Sequence, residues 1–484
     1  MKKKFLSNLI LLLFLNLLVK PFWILGIDRT VQNTVGAADY GFYFVIFNFS
    51  FLFNILLDLG VTNYNNRNIA QHSQLLNKHF SGIIIIKLFL AVLYTLITFS
   101  FGLLIGYSTE QLALLGFLCF NQFLLSFILY LRSNISGLLL FRTDSFLSVL
   151  DRVLMIVICS VLLWGHIFAT PFQIEWFVYA QTGAYLLTAA IAFLIVIKKA
   201  SFRRLNWNLP FFILIIKKSF PFAILVMLMA FYNRIDPVMI ERLLPKGIGF
   251  SEAGVYASAY RLLDAGNMIA YLFAVLLLPL FSRMIQKQEP VVQIAKLAFT
   301  LLITLSGIVA IGSHFYSYEL MDLMYKEHVS ESAAVFRILM LGYVAISTTY
   351  VFGTLLTANG NLKFLNIVAA SGMVINLLIN IVLVPRLMAV GSAYASLFTQ
   401  FTTAIIQTII AVRIFRFKVD YKYLASLFVF LIGTVVITKF SKLVFDQWIF
   451  NFLLMIAASL LLAMVLKLLN IKGFIQILKS KDGI

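Results

Sequence analysis

Apolar runs of about twenty residues, separated by short polar or basic stretches, recur from one end of the chain to the other. A helix of that length, rising about 1.5 Å per residue, reaches about 30 Å, the thickness of a bilayer's hydrocarbon core. At that threshold the pattern predicts fourteen spans: 9–27, 41–60, 82–106, 111–131, 145–165, 174–197, 219–240, 254–281, 294–312, 332–357, 364–384, 391–412, 424–440 and 448–468. Within the runs the apolar residues are continuous rather than alternating, and prolines number only nine. That excludes a membrane β-barrel. The expected fold is an all-α polytopic membrane protein.

Composition agrees: of 484 residues, 62% are hydrophobic and 12% charged, a balance that excludes a soluble globular protein. The net charge of +19 follows from sidedness. With the N-terminus inside, about 25 of the 38 lysines and arginines fall in inner loops and tails, and about 8 in outer loops. Lys2, Lys3 and Lys4 mark the cytoplasmic face, and the densest cluster on it is Lys198, Lys199, Arg203, Arg204, Lys217 and Lys218. An even number of spans returns the C-terminus, with Lys472, Lys479 and Lys481, to the same side. Anionic headgroups account for this charge, so nucleic acid is not expected as a partner. No small-residue cleavage site follows the first leucines, which predicts an uncleaved first span. Cys119 and Cys159 read as free thiols within spans, and His72 and His79 lack a converging third ligand, so no metal site is expected.

The chain also repeats itself. Asp39, Gly41 and Tyr43 match Glu252, Gly254 and Tyr256 at an offset of 213; Ser136–Leu140 matches Phe352–Leu356 at 216; Ala184-Tyr185 matches Ala393-Tyr394 at 209. Six spans per repeat make the two units parallel, related by an axis along the membrane normal. The expected organisation is a six-helix bundle over 1–200, a basic interfacial linker over 201–218, a second six-helix bundle over 219–415, and two additional helices with a tail over 416–484.

Ionisable residues inside spans are costly in lipid and point to a polar interior. Lys20 lies roughly 18 Å from the inner end of the first span, and at an offset of 214 it corresponds to Arg234. Arg152 enters the fifth span beside Asp151, and Arg261 and Asp264 lie three apart in the eighth, where they either neutralise one another or serve a substrate. For Lys20 and Arg234 the alternatives are outward snorkelling and the cationic lining of a cavity. Asp236 is a further carboxylate inside an apolar run. Lys87 is expected to snorkel, residues 28–40 to form a short polar outer loop, Asn376 and Asn380 to bond between helices, and 384–396 to make a tight hairpin.

"VGAADYGFY", "NRID", "EAGVYASAYRLLDA" and "NLLINIVLVPRLMAVGSAYAS" together resemble the polysaccharide transporter family of the MOP exporter superfamily, and within it the Wzx-type flippases. The likeness covers 9–412. It implies export of an undecaprenyl-diphosphate-linked oligosaccharide from inner to outer leaflet by alternating access. Lys20, Arg152, Arg234 and Arg261 would then offset the diphosphate, and Asp236 and Asp264 are candidates for ion coupling. No cofactor is implied; coupling to Na⁺ or H⁺ stays open between the two. Partners would be the lipid-linked glycan, membrane lipids and the glycosyltransferase and polymerase machinery of the bacterial inner membrane. A lipid II-type flippase and a multidrug exporter of the same superfamily are the alternatives. An integral glycosyltransferase or polymerase lacks visible catalytic carboxylates and a sizeable outer domain.

Overall fold

The computed structural model describes residues 11, 14–71, 74–165, 170–199, 209–418 and 420–469, and all regular structure among them is helical. Lys2–Lys4, His72, Arg203, Arg204, the first part of the expected linker (201–208), and Lys472, Lys479 and Lys481 lie outside these residues. Helix is what an apolar segment must form in lipid, because no water is present to satisfy its N–H and C=O groups. Among the described residues, eleven helices are long and apolar enough to cross a membrane, or twelve when the bent pair Phe220–Arg234 and Asp236–Leu243 is taken as one span. Leu104, Phe428 and Val465 stand 65% to 78% exposed, as lipid-facing side chains do. The protein is a multi-pass membrane protein.

Its contacts divide the chain into two compact units, residues 1–241 with 246–254, and 242–245 with 255–484. The first contains α1 (Phe14–Leu52), α2 (Val61–Gln71), α3 (Leu75–Leu104), α4 (Thr109–Gly137), α5 (Phe141–Trp164), α6 (Ile174–Ile197), α7 (Leu209–Arg234) and α8 (Asp236–Leu243), together with the opening of α9 (Ile248–Gln286). Helix α4 is central and packs against α1, α2, α3, α5 and α6. A capping box starts it: Gln111 N–H donates to Ser108 Oγ at 3.3 Å and Ser108 N–H to Gln111 Oε1 at 2.9 Å. Phe80, Ile83, Tyr130, Leu131, Ile135 and Val196 form one apolar cluster of this unit.

Two expectations for this unit fail. Residues 28–40 are not a polar loop: a π-helical turn, Trp23–Asp28, runs into helix interrupted only at Gly36 (φ 85°, ψ 169°). The Tyr40 hydroxyl donates to Asp28 Oδ2 at 2.8 Å, which pairs the two ends of this stretch inside the protein rather than in an exposed loop. The left-handed break falls on the residue without a Cβ to obstruct it. Nor does Lys87 snorkel. It is 1% exposed and donates to Leu57 O at 3.0 Å, Ser126 Oγ at 2.9 Å and the Asp58 carboxylate. Asp58 follows the 3₁₀ turn Asn54–Leu57, which ends α1 early and brings a carboxylate and an open carbonyl within the lysine's reach.

The repeat motifs are themselves in contact. A Cβ on Gly41 of α1 would lie 1.8 Å from Phe250 O, and a Cβ on Gly254 of α9 would lie 1.9 Å from Ala37 O. Ala37 precedes Gly41 by one turn, as Phe250 precedes Gly254, so equivalent residues of the two motifs touch reciprocally, all within the first unit.

The second unit holds the rest of α9 with α10 (Val292–Phe315), α11 (Ser317–Met324), α12 (Val329–Ala358), α13 (Leu362–Ile414), α14 (Tyr421–Ser441) and α15 (Trp448–Val465). Helix α12 packs between α10 and α13, while α14 and α15 pair and lean on α10 through Ile308, Leu427, Phe430 and Met455. Straight, the 53 residues of α13 would run about 80 Å, far beyond one bilayer crossing. The chain instead turns back at Met388 (φ 53°, ψ −135°), three residues after Pro385. Ser392 Oγ then donates to Asn380 Oδ1 at 2.5 Å, and Asn380 Nδ2 donates to Asn376 O at 2.9 Å. The hairpin and the asparagine bonding are as the sequence predicts.

Candidate functional site

The polar interior of the first unit is assembled from helix spacing. On α1, Asn16 and Lys20 are one turn apart; on α5, so are Ser148 and Arg152. Asn16 Nδ2 donates to Ser148 Oγ at 3.0 Å, which sets the register, and one turn further on Lys20 comes within electrostatic range of Arg152, Asp151 and Arg132. Two of the sequence-predicted cations are thereby brought together. Arg132 Nε donates to Asp144 Oδ1 at 2.8 Å, and Arg152 Nε stands 3.7 Å from Asp151 Oδ2. Three cations and two carboxylates leave the cluster net positive.

Arg152 sits in an aromatic setting. Its guanidinium carbon lies 5.7 Å from the Trp23 ring centre and 5.8 Å from that of Tyr185, within cation–π range. Its Nη1–H donates to the Tyr185 hydroxyl at 3.1 Å and faces Met155 Sδ at 3.3 Å. Trp23 stacks on Phe177 at 5.7 Å, Phe177 meets Tyr43 edge-on at 5.2 Å, and Gln181 Nε2 donates to the Tyr43 hydroxyl at 2.8 Å. A guanidinium held by rings and one hydroxyl, with its nearest carboxylate at 3.7 Å, is oriented without being fully neutralised, which suits it to a second anion.

From Tyr43 an aromatic stripe descends α1 at one-turn intervals. Tyr43 stacks on Phe47 at 5.7 Å, and Phe47 lies 6.3 Å from Phe51. The guanidinium of Arg234, on the last turn of α7, covers the Phe51 ring at 5.2 Å. Tyr43 to Phe51 is eight residues, about 12 Å of helix. The stripe therefore runs from the Arg152 aromatic cluster to a third sequence-predicted cation.

Asp236 opens α8 just after the 49° bend and is 1% exposed. Arg261 and Asp264 are half-buried on α9, in the second unit. Cys119 and Cys159 are buried free thiols, as expected. Among the described residues no group of His, Cys, Asp and Glu is arranged to hold a metal.

Trp23, Phe51 and the Asn16–Ser148 bond were not singled out in the sequence, and Tyr43 and Tyr185 stood out only as repeat positions. Their signal was present as one-turn spacing: Asn16 before Lys20, Ser148 before Arg152, and Tyr43, Phe47, Phe51 in series. In a chain this rich in aromatics that spacing does not stand out until the facing helix is known.

The family described as "Polysaccharide biosynthesis protein" matches residues 5–285. No curated protein sequence matches the chain. Among solved structures, the chain is similar to a lipid II flippase, MurJ, in an inward closed conformation, with a TM-score of 0.69 at 15% identity, covering 96% of this chain and 100% of that one. An inward-facing multidrug resistance MATE family transporter of the MOP superfamily gives a TM-score of 0.63 at 13% identity, covering 82% and 94%. A MOP superfamily transporter from Pyrococcus furiosus gives 0.61 at 14%, covering 84% and 95%. At these identities the likeness establishes a shared fold.

Proposed function

Because this chain belongs to the polysaccharide biosynthesis protein family and has the fold of MOP superfamily transporters, we propose that it is a flippase for an undecaprenyl-diphosphate-linked oligosaccharide. It would carry the repeat unit of an O-antigen, capsule or exopolysaccharide from the inner to the outer leaflet of the bacterial cytoplasmic membrane by alternating access. Both termini would face the cytoplasm. The elements interrupted at Gly36 and Met388 would each cross twice, which brings the twelve spans to fourteen.

The observation that carries this reading is Arg152, clasped by Trp23 and Tyr185 beside Lys20, at one end of a stripe that reaches Arg234. A diphosphate leaving headgroup water loses its hydration and needs fixed donors; guanidinium and ammonium groups supply charge-assisted bonds in its place. Aromatic faces suit the apolar faces of sugar rings, and the stripe would offer such faces to a glycan attached to that diphosphate. Arg261 would act as a further cation, in the second unit. Asp236 and Asp264 are the carboxylates we assign to coupling with Na⁺ or H⁺. Assembly partners would be glycosyltransferases and a polymerase.

The test is translocation in proteoliposomes of a fluorescent oligosaccharide linked to polyprenyl diphosphate. Each lost charge-assisted bond is worth about 1.5–3 kcal/mol, so Lys20→Ala with Arg152→Ala, or Lys20→Ala with Arg234→Ala, should slow translocation about 100-fold or more. A folded double variant that moves the lipid at the parent rate would refute the proposal. A second reading, lipid II as cargo, draws on what the MurJ neighbour is named for. Running lipid II in the same assay separates the two.

A further inference from the structure

A groove of about 520 Å³ opens on the first unit between α5 and α6, and Arg152 is not among the residues that line it. Phe146, Leu150 and Val153 line it from α5, Ile191 and Ile195 from α6, and Arg142 and Thr143 close one end. The α5 residues follow at intervals of four and three, hence share one helix face, and Ile191 and Ile195 are one turn apart. Phe146, Val153 and Ile191 are 59%, 39% and 40% exposed, so the slot is open along its side.

Its dimensions and charge select the occupant. From Thr143 to Val153 is ten residues, about 15 Å of helix, the depth of one leaflet in a hydrocarbon core of about 30 Å. The first half of α5 faces the last part of α6, so the two helices run antiparallel and the C-terminal end of α6 lies near Arg142. Lys198 and Lys199 follow the last residue of α6, and both are exposed, as Arg142 is. The first-turn carboxylate of α5, Asp144, is held by Arg132 at 2.8 Å and offsets these charges little. An apolar slot one leaflet deep beneath three basic side chains matches a lipid with a single short pair of chains and an anionic headgroup.

We propose that this groove is a binding site for one anionic phospholipid of the surrounding bilayer, its phosphate on Arg142, Lys198 and Lys199 and one acyl chain along the slot. The site depends only on the protein's place in the membrane and not on its cargo. A polyprenyl carrier is disfavoured, because its chain is far longer than one leaflet is deep.

Phe146→Trp, in proteoliposomes carrying brominated lipids, reports the occupant through the quenching gained over the parent's own tryptophans. A basic residue at an anionic surface contributes about fivefold in affinity. Brominated phosphatidylglycerol should therefore occupy the site at least about tenfold more readily than brominated phosphatidylcholine at equal mole fraction. Val153→Trp, deeper in the slot, should show the same preference, and Leu96→Trp, on the lipid-exposed face of α3, should show none. Adding Arg142→Gln, Lys198→Gln and Lys199→Gln should abolish the preference; Arg142→Gln alone should reduce it about fivefold and serves if the triple variant does not fold. Equal quenching by the two lipids, a preference that survives the charge substitutions, or displacement by polyprenyl phosphate at lower concentration than by unlabelled phosphatidylglycerol would each overturn the proposal.

Discussion

Replacing Gly41 by alanine puts a methyl group where the backbone of α9 already is. Its Cβ would meet Phe250 O at 1.8 Å, whereas ordinary van der Waals contact begins at 3.4 Å. The opposing atom is main chain, so no side-chain rotation relieves the clash and α1 and α9 must part locally by about 1.6 Å, the difference of those two distances. Overpacking of this kind costs about 1–3 kcal/mol. The parting also strains the bond that Gln32 Nε2 donates to Gly254 O at 2.9 Å, and a buried acceptor left unpaired costs about 1–3 kcal/mol more. Gly41→Ala should thus destabilise by about 2–6 kcal/mol in detergent unfolding titrations. Gly254→Ala should do the same, since its Cβ would lie 1.9 Å from Ala37 O. Because one displacement makes room for both methyl groups, the double variant should cost little more than either single one, a clear departure from additivity. Gly183→Ala is the control: nothing lies within 4 Å of its added Cβ, and alanine is favoured in a helix by up to about 1 kcal/mol. If Gly41→Ala is as benign as Gly183→Ala, or if the Gly41 and Gly254 effects simply add, the reciprocal crossing is not what holds these helices together.

Three further outcomes follow from the geometry. Lys87→Met leaves the Asp58 carboxylate without its ammonium and should destabilise by about 3–5 kcal/mol, while Lys87→Met with Asp58→Asn should recover part of that loss in the same titration. Arg152→Lys keeps the charge but gives up the planar guanidinium held between Trp23 and Tyr185, so translocation should fall about tenfold or more while the fold is unchanged by circular dichroism. Asp420 caps α14 by accepting from Tyr423 N–H at 3.1 Å, and the hydrogen bond from Lys296, with that backbone bond, holds its carboxyl below the usual range. A depressed folded-state value means that the cap's contribution is present above the ordinary carboxyl range and is lost as pH falls through the lowered one. Protection of the Tyr423 amide, its exchange rate relative to that of an unstructured chain at the same pH, should accordingly fall on acidification in the parent, and be low at all pH in Asp420→Ala.

Much of this protein was legible in one dimension. Apolar run length compels helices across a bilayer, since backbone groups in lipid have no other means of being satisfied, and the Asn376, Asn380 and Pro385 hairpin could be placed from spacing and proline alone. Intramembrane charge singled out Lys20, Arg152 and Arg234, because no cation is kept at that depth without partners. Which groups those partners are was a matter of tertiary structure. Lys87 looks like any lysine near a span's end until the 3₁₀ turn before Asp58 swings a carboxylate to it. Residues 28–40 look like a loop until Tyr40 reaches Asp28. Trp23, Tyr43 and Tyr185 lie far apart in the chain and become an aromatic clasp for Arg152 only once α1, α5 and α6 set their mutual register. Periodicity is a property of one helix, whereas a site belongs to faces on several, and their meeting is decided by packing.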